Sequence, residues 1–240
     1  MKYTLYLAVL LICTSVNAQT NVPVKAPEVK TTFSPKLTGE TYIEKKGYKG
    51  EQFFNKDWLE SDILLTTGEE IHGENLKYNG LLDELIWVNT SSYQQFKLDK
   101  SFISDFWLKN ETGSTNHFKQ INVNEQKDVH SSDIFAEVGV EGKKVSLFIQ
   151  RRIIIVGEEN LYRNGTLYLS ESIGEKPLYY IKTPSNHYLI LSRIRKKAFL
   201  NLFPEQKKDI AKIMKENHLN LKTENDLIKL IEMLDKNVFN

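Results

Sequence analysis

The chain has 240 residues, with Lys+Arg 32 against Asp+Glu 31 and hydrophobic residues at 40%. That length supports a sizeable core, and the balanced charge excludes both a highly charged disordered chain and long-range attraction to nucleic acid or anionic lipid. Twelve Phe, eleven Tyr and three Trp against six Pro point to a folded body.

Residues 1–18 have the pattern of a signal peptide. Lys2 supplies the positive end, Leu5 to Cys13 the apolar stretch, and Val16-Asn17-Ala18 the small side chains of a peptidase site. Cleavage is expected after Ala18, giving an exported protein, periplasmic or secreted, that starts at Gln19. The apolar stretch is short of the ~20 residues of a permanent span. Cys13 follows Ile12, where a lipoprotein peptidase needs a small residue, so lipidation is not expected. As Cys13 is the only cysteine, the mature chain relies on its core rather than on disulfides. Residues 19–50, with Pro23, Pro27, Pro35, Gly39, Gly47 and Gly50, show no sustained period and read as an extended leader.

From Glu51 short apolar runs alternate with turn residues. Ile63 to Leu65, Ile71 to Tyr78, Leu85 to Val88, Phe96 to Leu98 and Phe102 to Leu108 read as successive strands. Thr67-Gly68, Asn79-Gly80 and Asn89 to Ser92 mark turns. Ile71 is out of phase with Leu76 and Tyr78, which a bulge near Gly73 to Asn75 repairs. Phe106-Trp107-Leu108 is apolar on both faces. Residues 109–132 read as a long loop or weak strand, apolar only around Phe118 to Val123. Ile134 to Val140 and Lys143 to Ile149 form a second hairpin about Glu141-Gly142. Ile153 to Val156 continues it or starts another strand, and Asn160 to Gly174 reads as irregular, with a turn at Asn164-Gly165. Leu178 to Lys182 and Tyr188 to Leu191 form a third hairpin through Pro184-Ser185-Asn186. No crossover-length helix separates these strands, so the sheet is expected to be antiparallel.

After Arg193 the period changes to 3.6. Pro204 fits the start of a helix through Asn217, with Ile210, Ile213 and Met214 on one face. Thr223 to Asp226 resembles a capping box, opening a helix with Leu227, Leu230, Ile231 and Leu234 on one stripe. Burying those four side chains is worth roughly 6–10 kcal/mol before entropy. The expected fold is therefore α+β. An antiparallel β-meander domain (51–192; sandwich, roll or open barrel) carries a C-terminal αα-hairpin (193–240) packed on it.

Three segments carry a resemblance: Phe54-Asn55-Lys56-Asp57-Trp58, Leu76-Lys77-Tyr78-Asn79, and the ending from Phe203-Pro204-Glu205 to Leu230-Ile231-Glu232. Together they resemble an uncharacterised family of secreted proteins of Bacteroidota, loosely over residues 54–235. The resemblance implies export and a β-domain with C-terminal helices. It brings no catalytic residue.

The chemistry searched for is mostly missing. His72, His117, His130, His187 and His218 show no helical i, i+4 pair; only His117 and His130 remain as a pair for folding to join. Asn122, Asn124 and Asp128 lack the glycine and closing glutamate of a calcium loop. There is no G-x-S-x-G and no S-x-x-K. The acidic pairs Glu69-Glu70, Asp83-Glu84 and Glu158-Glu159 point to opposite faces if they lie on strands. The basic clusters Lys143-Lys144, Arg151-Arg152 and Arg193 to Lys197 read as solvated edges and helix ends. Trp58, Tyr78, Trp87, Tyr93 and Trp107 are the candidate ligand-binding set, an aromatic platform for sugars. No cofactor, metal site or nucleic-acid partner is expected.

The primary reading is an exported, non-catalytic envelope protein that acts as a protein-interaction module. The alternative is a glycan- or lipid-binding module using an aromatic face or apolar β-cavity. A hydrolase with a dispersed active site is the third.

Overall fold

The computed structural model describes residues 37, 39–44, 47–110, 112–123 and 132–238. The expected signal peptide, most of the leader, His130, Asn124 and Asp128 lie outside them.

Among the described residues fourteen strands form two open sheets. They are β1 (Gly39–Thr41), β2 (Tyr48–Lys49), β3 (Leu59–Leu65), β4 (Glu70–Asn79), β5 (Glu84–Val88), β6 (Gln95–Leu98), β7 (Ile103–Lys109), β8 (Thr115–Val123), β9 (Ser132–Val140), β10 (Ser146–Gln150), β11 (Ile153–Arg163), β12 (Thr166–Glu175), β13 (Leu178–Lys182) and β14 (Tyr188–Leu191). Three helices follow: α1 (Lys196–Leu202), α2 (Lys207–Glu216) and α3 (Glu224–Asn237). The fold is α+β and β-rich. Eleven strands make one sheet in the order β1-β6-β5-β4-β3-β7-β8-β9-β10-β13-β14, and β11-β12-β2 make the second.

The end of the expected leader is woven into both sheets. β1 pairs antiparallel with β6, and β2 pairs parallel with β12, so not every pairing is antiparallel. The expected irregularity on β4 is present. Ser61 faces Glu74 and Ile63 faces Ile71, so β4 carries one extra residue, at a point where Gly73 has φ 73°. Within the stretch 109–132, read as a long loop or weak strand, Thr115–Val123 forms strand β8. Its apolar residues fall on opposite faces, Phe118 on one and Ile121 and Val123 on the other, which hides the alternation.

The large sheet curls. Rings from β4, β7, β8 and β9 meet inside the curl: Tyr78 lies 5.0 Å from Phe118 and 6.3 Å from Phe135, and Phe106 stacks on Phe118 at 4.8 Å. Farther along the same face, by register, Leu147, Ile149, Tyr179 and Ile181 pack against the helices. The expected αα-hairpin is thus three helices. The α1 turn ends at Phe203, ahead of Pro204, whose ring removes a donor and breaks the run. α3 has its capping box, with Thr223 and Asp226 each accepting the other's backbone N–H. The opposite face carries a third apolar cluster of Ile121, Ile134, Ala136, Phe148 and Tyr180.

Polar contacts at both ends of α3 hold the helices to the sheet. Asp235 of α3 accepts backbone N–H bonds from Lys143 (3.1 Å), Lys144 (2.6 Å) and Val145 (2.9 Å) in the β9–β10 turn. Arg151 reaches Glu224 at the start of α3 and also Glu137 of β9.

Candidate functional site

The stretch expected to be irregular, Asn160 to Gly174, belongs to the longest hairpin among the described residues. β11 and β12 pair continuously from Ile153↔Glu175 to Arg163↔Thr166, apart from a bulge at Val156. The reversal is the two-residue turn Asn164-Gly165, with φ values of 52° and 78°. Both residues are left-handed, the type I′ geometry whose twist matches the flanking strands. At its base the hairpin is fixed to the body. Ile153 and Ile173 are buried, and Ile153 N–H donates to the Gly80 carbonyl at 2.9 Å. Gly80 permits this approach, since a Cβ there would lie 2.4 Å from the Arg151 carbonyl oxygen. Lys49 of β2 steadies the stem through a 2.5 Å ion pair with Glu159.

Beyond the stem the hairpin is an arm exposed on both faces. Register places Leu161 and Tyr168 on one face and Tyr162, Leu167 and Leu169 on the other. All five are exposed, Tyr162 most of all at 79%, and Ile155 and Val156 add to them at the bulge. The seven side chains together expose on the order of 800 Å², divided between the two faces of the arm. Exposed apolar patches of a few hundred Å² mark interaction sites.

The predicted aromatic platform does not assemble. Tyr78 is fully buried, its hydroxyl donating to Asp83 at 2.8 Å. Trp87 is also buried, stacked on Phe96 at 5.4 Å with its indole N–H donating to Glu74 at 2.6 Å. Trp107 stacks on His117 at 4.6 Å. Trp58 lies under the Lys77 ammonium, and Tyr93 stands exposed with φ 57° in the β5–β6 turn. Strand alternation sends Tyr78 and Trp87 inward with the core, whereas Trp107 falls on the opposite face of β7 from Phe106.

Two polar clusters have the residue types of a catalytic site without its geometry. Asp83, at φ 55°, accepts from the Tyr78 hydroxyl, from Lys100 Nζ at 2.5 Å and from Phe135 N–H at 3.2 Å. Burial pushes its carboxyl up and Lys100 opposes this; the net shift is upward. An open cavity of about 590 Å³ adjoins it, lined by charges of both signs including Glu40, Glu84, Lys97 and Lys100. All three donors are spent on closing the curl, between the β4–β5 turn and β9. In the second cluster, Asp105 lies 2.7 Å from His117 Nε2 and accepts from Ser104 Oγ at 2.5 Å. The serine donates to the carboxylate and not to the imidazole, so this is not a nucleophile–base pair.

Among the described residues no group of three or more His, Cys, Asp or Glu side chains is placed to hold a metal ion, and no helix is long and apolar enough to cross a membrane. A groove of about 680 Å³ on the face opposite the helices is mainly polar, with Lys119, Asn122, Lys182 and His187 around Phe148 and Tyr188.

The arm residues escape a sequence reading because Leu161-Tyr162 and Leu167-Tyr168-Leu169 are apolar at consecutive positions and so lack a period of two. The available signal was the Asn-Gly pair flanked by matching Leu-Tyr steps. No family model, curated protein or solved structure matches the chain.

Proposed function

We propose that this protein is an exported, non-catalytic protein-interaction module of the cell envelope, and that the β11–β12 arm is its docking element. The observation that carries the reading is the arm itself: seven exposed apolar side chains on a paired hairpin with a preorganised turn. An arm built this way loses little entropy on binding. Export rests on the pattern of residues 1–18, and mass analysis that finds Gln19 as the mature N-terminus supports it. The glycan-platform alternative loses its main support, since its five aromatic residues are dispersed.

The test is photo-crosslinking in living cells with a photoreactive residue at Tyr162 or Tyr168, and at exposed Lys207 on the body as reference. Discrete protein adducts from the arm positions and none from position 207 support the reading. Absence of arm adducts contradicts it.

A further inference from the structure

We infer that the arm's partner is a second copy of this chain, the two β11 strands pairing antiparallel about a two-fold axis at Leu161. This rests on the arm being an interaction element and names its partner. Among the described residues the free sheet edges are β1, β2, β11 and β14, with 3, 2, 11 and 4 residues. A long exposed edge is a template for strand addition, and β11 is by far the longest. A protein partner also satisfies the edge's backbone groups, which a lipid surface does not.

Self-pairing follows from register. The bulge at Val156 disrupts pairing near the stem, leaving the straight segment 157–163. On a two-fold axis perpendicular to the sheet, residues that meet must share a face, so their numbers sum to an even value. A sum of 318 sets Glu159 against Glu159, and 316 sets Glu158 against Glu158. A sum of 320 sets both glutamates against Leu161 and Tyr162. A sum of 322 sets Leu161 against its own copy and Tyr162 against Asn160, and keeps both glutamates away from each other and from the apolar side chains.

Together with the β11–β12 pairs this register builds continuous rungs across four strands. One face carries Tyr168–Leu161–Leu161–Tyr168, and the other carries Leu167–Tyr162–Asn160–Leu169 twice, once from each side. Five of the seven exposed apolar side chains of the arm enter these rungs. The two-fold arrangement closes, so it gives a dimer and not a fibre.

Sedimentation velocity of the purified chain over a concentration series tests this, with cysteine trapping at single positions in a Cys13→Ser background. The expected results are a concentration-dependent monomer–dimer equilibrium and oxidative cross-linking of Leu161→Cys. Ile190→Cys, on the β14 edge, stays monomeric. Leu161→Asp weakens the dimer about a hundred-fold. Should that variant not fold, the cysteine traps decide without it. A monomer at all concentrations, or trapping through position 190 but not 161, overturns the inference. Arm adducts to a different protein in cells, with a monomeric purified chain, refute self-pairing alone. Absence of any arm adduct refutes the interaction reading as well.

Discussion

The guanidinium of Arg151 meets the carboxylate of Glu224 in two parallel hydrogen bonds, of 2.7 and 2.9 Å. Arg151 lies just after β10 and Glu224 is the first residue of α3, so this fork joins helix to sheet. Its Nε also bonds Glu137, which in turn accepts from Asn116 at 2.7 Å. The guanidinium lies 5.9 Å from the Phe54 ring of the aromatic cluster and so links the two apolar clusters on one sheet face. Burial opposes the positive charge, but the two carboxylates outweigh it and hold the Arg151 pKa above its ordinary value. The Tyr179 hydroxyl, 3.2 Å from Glu224, is pushed up to about 12 by burial and by that carboxylate.

Arg151→Ala leaves two carboxylates facing each other in a half-buried seam. It is expected to destabilise the fold by about 2–3 kcal/mol, measured as a lower midpoint in urea unfolding. Glu224→Gln keeps one acceptor and should cost less. Equal losses from the two variants would show that the fork acts as packing and not as a charge pair.

Asp235 acts on the other end of α3. Its three backbone donors lie in the β9–β10 turn, so Asp235→Ala is expected to cost about 1 kcal/mol, discounted for its partial exposure. Amide exchange at Lys143, Lys144 and Val145 should quicken in that variant. Unchanged exchange at those three amides would contradict the contact.

The pH dependence of stability separates three carboxylates, Asp105, Asp235 and Asp83, by sign. For Asp105, burial pushes the carboxyl up, but hydrogen bonds from His117 and Ser104 outweigh it and hold the pKa below the ordinary 3.8. Burial likewise raises Asp235, and the N–H groups of Val145, Lys144 and Lys143 outweigh it. These two contribute stability that is present above 3.8 and lost as pH falls through their lower folded values. Asp83 is the reverse: its raised folded value contributes stability present below 3.8 and lost as pH rises through it. Urea midpoints taken across the acid range should therefore fall less steeply on acidification in Asp105→Asn and more steeply in Asp83→Asn. Identical slopes in both variants would refute the assignment.

Gly165 holds φ 78° in the arm's turn, so Gly165→Ala costs about 1–2 kcal/mol locally. The arm's amides should exchange faster while the global unfolding midpoint stays fixed. A falling global midpoint would mean that the arm is part of the core fold.

The fold was legible where a short apolar run is closed by turn residues. β4, β5, β9, β10 and the α3 capping box follow from short apolar runs and turn chemistry, even though β5, β9 and β10 are buried on both faces. β8 was legible only as a loop or weak strand, since Phe118 and Ile121 serve clusters on opposite faces and polar residues separate them. The curl of the sheet, which joins Tyr78 to Phe135 and Asp83 to Lys100, depends on contacts 57 and 17 residues apart that no local pattern carries. The candidate site was hidden for the same reason as β8. Leu161-Tyr162 and Leu167-Tyr168 are apolar on both faces of a two-stranded arm, a pattern that reads as irregular until the pairing is known.

Hydrogen–deuterium exchange of the β11 amides as a function of protein concentration tests the central claim most directly. Docking through the arm of a second copy predicts that protection over Ile153–Arg163 rises with concentration, most at 159–163, while the β14 edge at Tyr188–Leu191 stays constant. Exchange over β11 that is independent of concentration would contradict it.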